Sequence, residues 1–117
     1  MAEIHLIKKP ITIAGLKKIA KERFGDLVKA VVDVRQKIMA VGGAFHSDGH
    51  VFLIEKCNSK GEDTLGVNIY SDKSKGEMLE FDSVINLKSL QNNLSRGVEN
   101  PQIREKIKEI VAKLILD

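Results

Sequence analysis

The chain has 117 residues, the usual length of one domain, and its 43% hydrophobic and 30% charged residues are typical of folded proteins. Its apolar runs are far shorter than the roughly 20 residues that cross a bilayer, and residues 1–13 lack the apolar stretch of a secretory signal. The single cysteine, Cys57, excludes an internal disulfide. We therefore expect one soluble domain over residues 1–117, in the cytoplasm.

The formal net charge is only +3, but the charges are unevenly distributed. Basic residues outnumber acidic ones in residues 1–37, whereas acidic residues predominate in residues 38–100. Six cationic side chains of the first region could form a patch that attracts anions: Lys8, Lys9, Lys17, Lys18, Lys21 and Arg23. Sequence-specific nucleic-acid binding is not indicated, because no helix-turn-helix is recognisable and only 4% of the residues are aromatic.

The first 25 residues predict an edge strand followed by a helix. Ile4 and Leu6 alternate with a polar residue, as expected of an edge strand that ends before Pro10. Thr12 is a favourable N-cap, and Gly25 supplies a C-terminal stop. Apolar residues recur between them at helical spacing and should face a sheet: Ile13, Leu16, Ile19, Ala20 and Phe24.

The central part of the chain reads as a series of antiparallel strands. The predicted strands cover residues 28–34, 38–41, 51–56, 65–70 and 77–81. In the first of them Val28, Ala30, Val32 and Val34 share one face. The sequence SDG at residues 47–49 is typical of a hairpin turn.

The last helix carries the clearest signals. Asn100 is a good N-cap, and the fixed φ of Pro101 suits the first helical position. The apolar stripe that follows should cover the sheet: Ile103, Ile107, Ile110, Val111, Leu114 and Ile115. The sequence therefore predicts an α+β domain, an antiparallel meander of about five or six strands flanked by an N-terminal and a C-terminal amphipathic helix.

Residues 82–99 form a long, polar segment without periodicity, and loops of this length often carry function. Its polar side chains are Asp82, Ser83, Asn86, Gln91, Asn92, Asn93, Ser95 and Arg96. Arg96 could hold a carboxylate or phosphate, and the amides and hydroxyls could add neutral hydrogen bonds to the same anion. Alternatively, these groups cap strand ends and satisfy the backbone of the loop itself.

Two further sets of side chains could carry chemistry. His46, Asp48 and His50 are spaced two apart and could bind zinc, but a turn at residues 47–49 would place the histidines at a solvated hairpin tip. We therefore expect no metal, and since no cofactor-binding motif is present we also expect no cofactor. His46 could instead transfer a proton together with Asp82. Cys57 has no neighbouring histidine, which favours a buried thiol over a nucleophile.

Several blocks together resemble a prokaryotic domain family that has no assigned function. They are FGDLVKAVVDV at 24–34, IMAVGG at 38–43, EFDSVINL at 80–87, NLSRGVENP at 93–101 and IREKI at 103–107. The resemblance covers most of the chain and implies no reaction, cofactor or partner. It does imply that the loop positions Asp82, Ser83, Asn86, Asn93, Ser95 and Arg96 belong to the family pattern, whereas His50 does not.

The main functional hypothesis is a non-catalytic binding domain whose loop, residues 82–99, accepts an anionic group from a small molecule, nucleic acid or partner protein. Its predicted ligand-binding residues are Asp82, Ser83, Asn86, Asn93, Ser95, Arg96 and His46. The first alternative is a small hydrolase or transferase that uses His46 or Asp82 as proton acceptor, with Ser83 or water as nucleophile. The second is a protein interaction module, such as a homodimer formed through a strand edge.

Overall fold

The computed structural model describes residues 4–88 and 93–116, and within them the chain forms seven β-strands and three α-helices. The strands are β1 (Ile4–Ile7), β2 (Ile11–Thr12), β3 (Leu27–Asp33), β4 (Ile38–Gly42), β5 (Thr64–Tyr70), β6 (Leu79–Glu80) and β7 (Ile115–Leu116). The helices are α1 (Ile13–Lys21), α2 (His46–Cys57) and α3 (Pro101–Leu114). Short 3-10 helices cover Gly61–Asp63 and Val84–Asn86. Over these described ranges, no helix has the length and apolar character needed to cross a bilayer.

The main sheet has the strand order β1-β4-β3-β5-β6, and every neighbouring pair in it is antiparallel. β2 and β7 pair in parallel beside it. This arrangement confirms the predicted α+β class with an antiparallel sheet and with helices in the N-terminal and C-terminal regions. The path differs from a simple meander because α2 connects β4 to β5, and these strands lie on either side of β3.

Helices α1 and α3 cover one face of the sheet through the predicted apolar stripes. Leu16 of α1 and Ile107 of α3 are fully buried in a core with the alternating residues of β3. The predicted caps are present, since Thr12 Oγ1 accepts a hydrogen bond from Gly15 N at 3.0 Å and Asn100 Oδ1 accepts one from Gln102 N at 2.8 Å. Phe24 is an exception to the predicted stripe: α1 ends at Lys21, and the ring of Phe24 is largely exposed.

The prediction of a strand at residues 51–56 is wrong, because these residues lie in α2. The SDG sequence forms the first turn of this helix and not a hairpin turn. Asp48 fixes that start, since its Oδ2 accepts a hydrogen bond from Phe45 N while its own N–H donates to Phe45 O. Gly49 lets the helix approach the sheet closely, as a Cβ there would lie 3.0 Å from Val31 Cγ2. Tertiary packing thus overrides the strand propensity of the apolar run that follows.

Helix α2 packs against the opposite face of the sheet. Leu53 of the helix packs there against Val31 and Ala40. At the C-terminal end of α2 the carboxylate of Asp33, 1% exposed, accepts hydrogen bonds from the backbone of Arg35 and from the backbone and side chain of Gln36.

Ser59 completes this network at the end of α2. Its hydroxyl donates to Asp33 Oδ2 at 2.6 Å, and the amide of Gln36 donates to Cys57 O, the last carbonyl of the helix. Burial alone raises the pKa of Asp33, but the hydrogen bonds from Ser59, Gln36 and Arg35 outweigh it and hold the pKa below its ordinary value. The network therefore keeps an ionised carboxylate inside the fold.

Candidate functional site

A cleft of about 280 Å³ opens at the N-terminal end of α2. β3, the first turn of α2 and the segment after β6 supply its walls. Its polar lining residues are Lys29, His46, Ser47, Ser83 and Arg96, and its apolar ones are Phe45, Val84 and Ile85. The structure therefore brings three of the sequence-predicted site residues, His46, Ser83 and Arg96, to one place.

Gly66 of β5 forms the floor beneath two of these residues. A Cβ on Gly66 would lie 2.5 Å from Ser83 Oγ and 3.1 Å from His46 Cδ2, distances at which atoms would have to move. The absence of a side chain thus lets Ser83 and His46 pack directly on the strand backbone. A glycine inside an apolar strand is a sequence signal of such close approach, and it points to this part of the sheet.

His46 is buried and is held by the backbone of β5. Its Nε2 lies 2.9 Å from Val67 O, and because a carbonyl only accepts, Nε2 carries the proton and Nδ1 is the free acceptor of the neutral ring. Burial lowers the pKa of His46, the bond to Val67 opposes this, and of the nearby charges Lys29 and Arg96 lower it while Asp82 raises it. The net pKa lies below the ordinary value, so the imidazole is neutral at neutral pH.

Arg96 and Asp82 form an ion pair at the cleft. Arg96 Nε lies 2.6 Å from Asp82 Oδ1, and both side chains are roughly half exposed. The hydrogen bond from Arg96 holds the pKa of Asp82 below its ordinary value. Only Nε takes part in this contact among the described residues, which leaves the outer edge of the guanidinium for a further acceptor.

Lys29 is a site residue that sequence reasoning did not single out. It lies on β3 directly opposite Asn68 of β5, on the sheet face that also carries α2. Its Nζ lies 5.5 Å from the centroid of the Phe24 ring, and across residues 4–88 and 93–116 no carboxylate lies within 4.0 Å of it. The alternation of β3 already placed Lys29 on the face opposite the α1–α3 core, but nothing in the sequence showed what it would meet there.

Asn86, which was predicted to bind a ligand, instead supports the backbone beneath the cleft. Its Oδ1 accepts from Gly66 N at 2.8 Å, and its Nδ2 donates to Gly66 O at 3.0 Å and to Arg96 O at 2.8 Å. Both ends of the amide are therefore used by main-chain groups, and the residue is fully buried. Its role matches the alternative reading, in which loop amides satisfy the loop itself.

The other predicted loop residues have the same kind of local contact. Asn93 Nδ2 donates to the carbonyls of Asn86, Ser95 and Gly97, and its Oδ1 accepts from Glu99 N. Ser95 Oγ accepts from Gly97 N at 3.2 Å. Neither side chain lines the cleft. Gln91 and Asn92 lie outside the described residues.

Ser83 is fully buried although it borders the cleft, and its Oγ accepts a hydrogen bond from Ile85 N. No hydrogen bond joins Ser83 to His46 within the described part of the chain, and the protonated Nε2 of His46 already faces Val67. These positions do not form the base-to-hydroxyl contact that activates a serine nucleophile.

The two histidines of α2 lie one helical turn apart and not at a hairpin tip, as the sequence had suggested. His50 Nδ1 donates to Thr64 Oγ1 at 2.8 Å, since the hydroxyl of Thr64 itself donates to Gly61 O. Asp48 faces the backbone of Phe45. In the two described ranges, no group of three or more histidine, cysteine, aspartate or glutamate side chains is placed to hold a metal ion.

Fold and cleft together define a small α+β domain with helices on both faces of an antiparallel sheet and a cationic cleft at one end of α2. The chain belongs to the family described as "Protein of unknown function (DUF5674)", whose model matches residues 5–114. This finding confirms the resemblance to a family without an assigned function. No curated protein and no solved structure matches the chain.

Proposed function

We propose that this protein is a non-catalytic binding domain that accepts an anionic group of a small molecule in the cleft between Lys29, His46 and Arg96. The observation that carries the proposal is the grouping of two cationic side chains with the N-terminal end of a twelve-residue helix. All three are sources of positive potential, and an anion placed among them would interact favourably with each.

Without a counter-ion, this grouping of positive charge would be unfavourable. Cations are stabilising near the C-terminus of a helix and destabilising near its N-terminus, by about 0.3–1 kcal/mol each at exposed positions. Lys29 and Arg96 nevertheless lie at the N-terminal end of α2, and Lys29 has no carboxylate within 4.0 Å in the described residues. A bound phosphate or carboxylate would supply the missing negative charge.

Asp82 fits this proposal as a competitor for Arg96 and not as a ligand of the anion. Its carboxylate would repel a bound anion, and it neutralises Arg96 through a contact of 2.6 Å. An exposed pair of this kind contributes little to stability, so an anion could displace it at modest cost. Removal of the Asp82 charge should therefore strengthen binding.

The alternative proposals receive less support. A hydrolase or transferase could use Ser83 or water as nucleophile, but the Ser83 hydroxyl has no accessible surface, and the proton on His46 Nε2 faces Val67 O. An interaction module built on strand addition would use β1 or β6, which are only four and two residues long. A cytoplasmic location remains part of the proposal, in agreement with the single cysteine.

Thermal unfolding with increasing inorganic phosphate, at ionic strength held constant with chloride, tests the binding proposal. Phosphate at about 100 times its Kd should add about 2.7 kcal/mol to the free energy of unfolding. Arg96→Gln and Lys29→Gln should lose most of the shift, whereas Asp82→Asn should show half-maximal shift at a lower phosphate concentration.

Lys18→Gln is the matched control, since Lys18 is an exposed lysine of α1 on the other side of the sheet. It should respond to phosphate as the wild type does. The proposal fails if the wild type shows no shift, or if Lys18→Gln loses as much of the shift as Arg96→Gln does.

A further inference from the structure

Phe45 is placed where the rules of helix formation do not favour it. It occupies the N-cap of α2, a position that favours serine, threonine, aspartate or asparagine, and its ring cannot accept a hydrogen bond. The carboxylate of Asp48 makes the capping contact instead, from within the first turn. The ring itself is 67% exposed, so it contributes little to the core. Folding therefore gives no reason for an aromatic side chain here.

The surroundings of the Phe45 ring suggest that it contacts a ligand. Phe45 lines the cleft, next to His46 and Ser47, and Val84 borders the same cleft and is 60% exposed. Two exposed apolar side chains thus stand beside the cationic groups Lys29 and Arg96. A ligand whose anionic group reached these cations would bring its adjoining atoms against Phe45 and Val84.

The volume of the cleft limits what can adjoin the anion. Pockets for drug-sized ligands measure about 300–1,000 Å³, and the 280 Å³ of this cleft lies just below that range. A single ring with one anionic group fits within this volume, whereas most of a dinucleotide or a folded peptide would lie outside the cleft. Aromatic rings interact well with one another in offset-stacked or edge-to-face arrangements, which an exposed phenylalanine can offer.

We propose that the ligand is a small aromatic anion, a single planar ring that carries a phosphate or carboxylate group, and that Phe45 is the residue that selects the ring. The inference rests on the proposed anion-binding function and adds the class of ligand to it. Lys29 and Arg96 hold the charged group, and Phe45 with Val84 covers the ring.

Isothermal titration with phenyl phosphate and methyl phosphate tests the selection, because the two share the charged group and differ in the ring. The wild type should bind phenyl phosphate roughly tenfold more tightly, the ratio that corresponds to one good aromatic contact. Phe45→Ala should weaken binding of phenyl phosphate far more than binding of methyl phosphate, so that the two affinities come together. Phe45→Trp should keep the preference, and Leu116→Ala, which removes an exposed apolar side chain from β7, should leave it unchanged.

The outcomes separate this inference from the function on which it rests. If both phosphates bind the wild type equally well, or if Phe45→Ala weakens both by the same factor, ring selection is overturned and the anion site stands. If neither phosphate binds the wild type, the anion site itself is overturned and the inference with it.

Discussion

The two ends of α2 lie against the same face of β3, but their polar side chains are paired very differently. At the C-terminal end, Asp33 of β3 is buried and its carboxylate is saturated by hydrogen bonds from Gln36, Ser59 and the backbone. At the N-terminal end, four residues earlier on the strand, Lys29 borders an open cleft and has no ion-pair partner among the described residues.

This difference between the two ends of α2 supports the proposed binding site. A buried charge is tolerated only when it is paired or hydrogen-bonded, and the Asp33 network meets this requirement with groups of the chain itself. The requirement does not apply to the cleft, since Lys29 and Arg96 are partly exposed and Arg96 is paired with Asp82. Charged groups of this kind, which the fold does not enclose, are the ones that we propose to contact a ligand.

The largest effect on stability is expected from removal of the Asp33 carboxylate at the C-terminal end of α2. Asp33→Ala removes the acceptor of Ser59 and Gln36, and we expect the free energy of unfolding to fall by about 3 kcal/mol, the upper range for hydrogen bonds to a charged group. Chemical denaturation measures this loss. Asp72→Ala, the control at an exposed aspartate, should change stability by less than about 0.5 kcal/mol. Equal losses in the two variants would contradict the structural role of Asp33.

A smaller loss of stability, together with a loss of phosphate binding, is expected from a substitution at Gly66 beneath the cleft. Gly66→Ala forces Ser83 and His46 away from β5, and overpacking of this kind costs about 1–3 kcal/mol. Unlike Asp33→Ala, it should also abolish the stabilisation by phosphate, because the cleft loses its shape.

Gly76→Ala is the matched control, as a Cβ at Gly76 meets no atom within 4 Å. It should leave both stability and the phosphate response unchanged. A folded Gly66→Ala variant that still responds fully to phosphate would show that the floor does not shape the site.

The smallest effect concerns the pH dependence of stability, which involves His46 at the N-terminal end of α2. The pKa of His46 is lowered in the folded protein, so the unfolded chain, with an ordinary pKa of 6.5, binds the proton more readily. Stability from this residue is therefore fully present above about pH 6.5 and is lost as the pH falls below it. His46→Gln should show a smaller loss between about pH 7 and pH 5, measured by denaturation.

His5→Gln controls for this substitution, because His5 lies on β1 beside Glu22 and not at the cleft. It shows whether replacement of a histidine away from the cleft is enough to change the loss of stability on acidification. Part of the loss should persist in His46→Gln, since burial and the charge of Lys88 also lower the pKa of His50. An unchanged pH profile in His46→Gln would show that His46 does not titrate differently on folding.

Local signals were sufficient to predict the elements whose partners are close in sequence. Thr12 and Asn100 cap their helices through bonds to residues two or three positions away, and the stripe around Ile107 faces the core as its spacing requires. These contacts depend only on the periodicity and the residue type, which can be read directly from the chain.

The helix α2 could not be predicted in the same way. Gly49 and the apolar run after it favour other structures locally, and the helix forms there because its glycine meets Val31 and Ala40 of the sheet. The cleft could not be predicted for the same reason. Lys29 and Arg96 line it together only after β3, α2 and the loop have assembled. Sequence reasoning therefore named Arg96, Ser83 and His46 for their chemistry but gave no reason to name Lys29 or Phe45, which line the same cleft.

The side-chain amide of Asn86 also bears on how the protein associates with other copies of itself at high concentration. β6 pairs with β5 only at Asn68 and Ile69. Without Asn86, the N–H and C=O of Gly66 at the outer edge of β5 would therefore be available to a strand of another molecule. The Asn86 side chain occupies both groups, much as another strand would. One asparagine thus protects the sheet against intermolecular strand addition, the first step towards aggregation, and also anchors the backbone of Arg96.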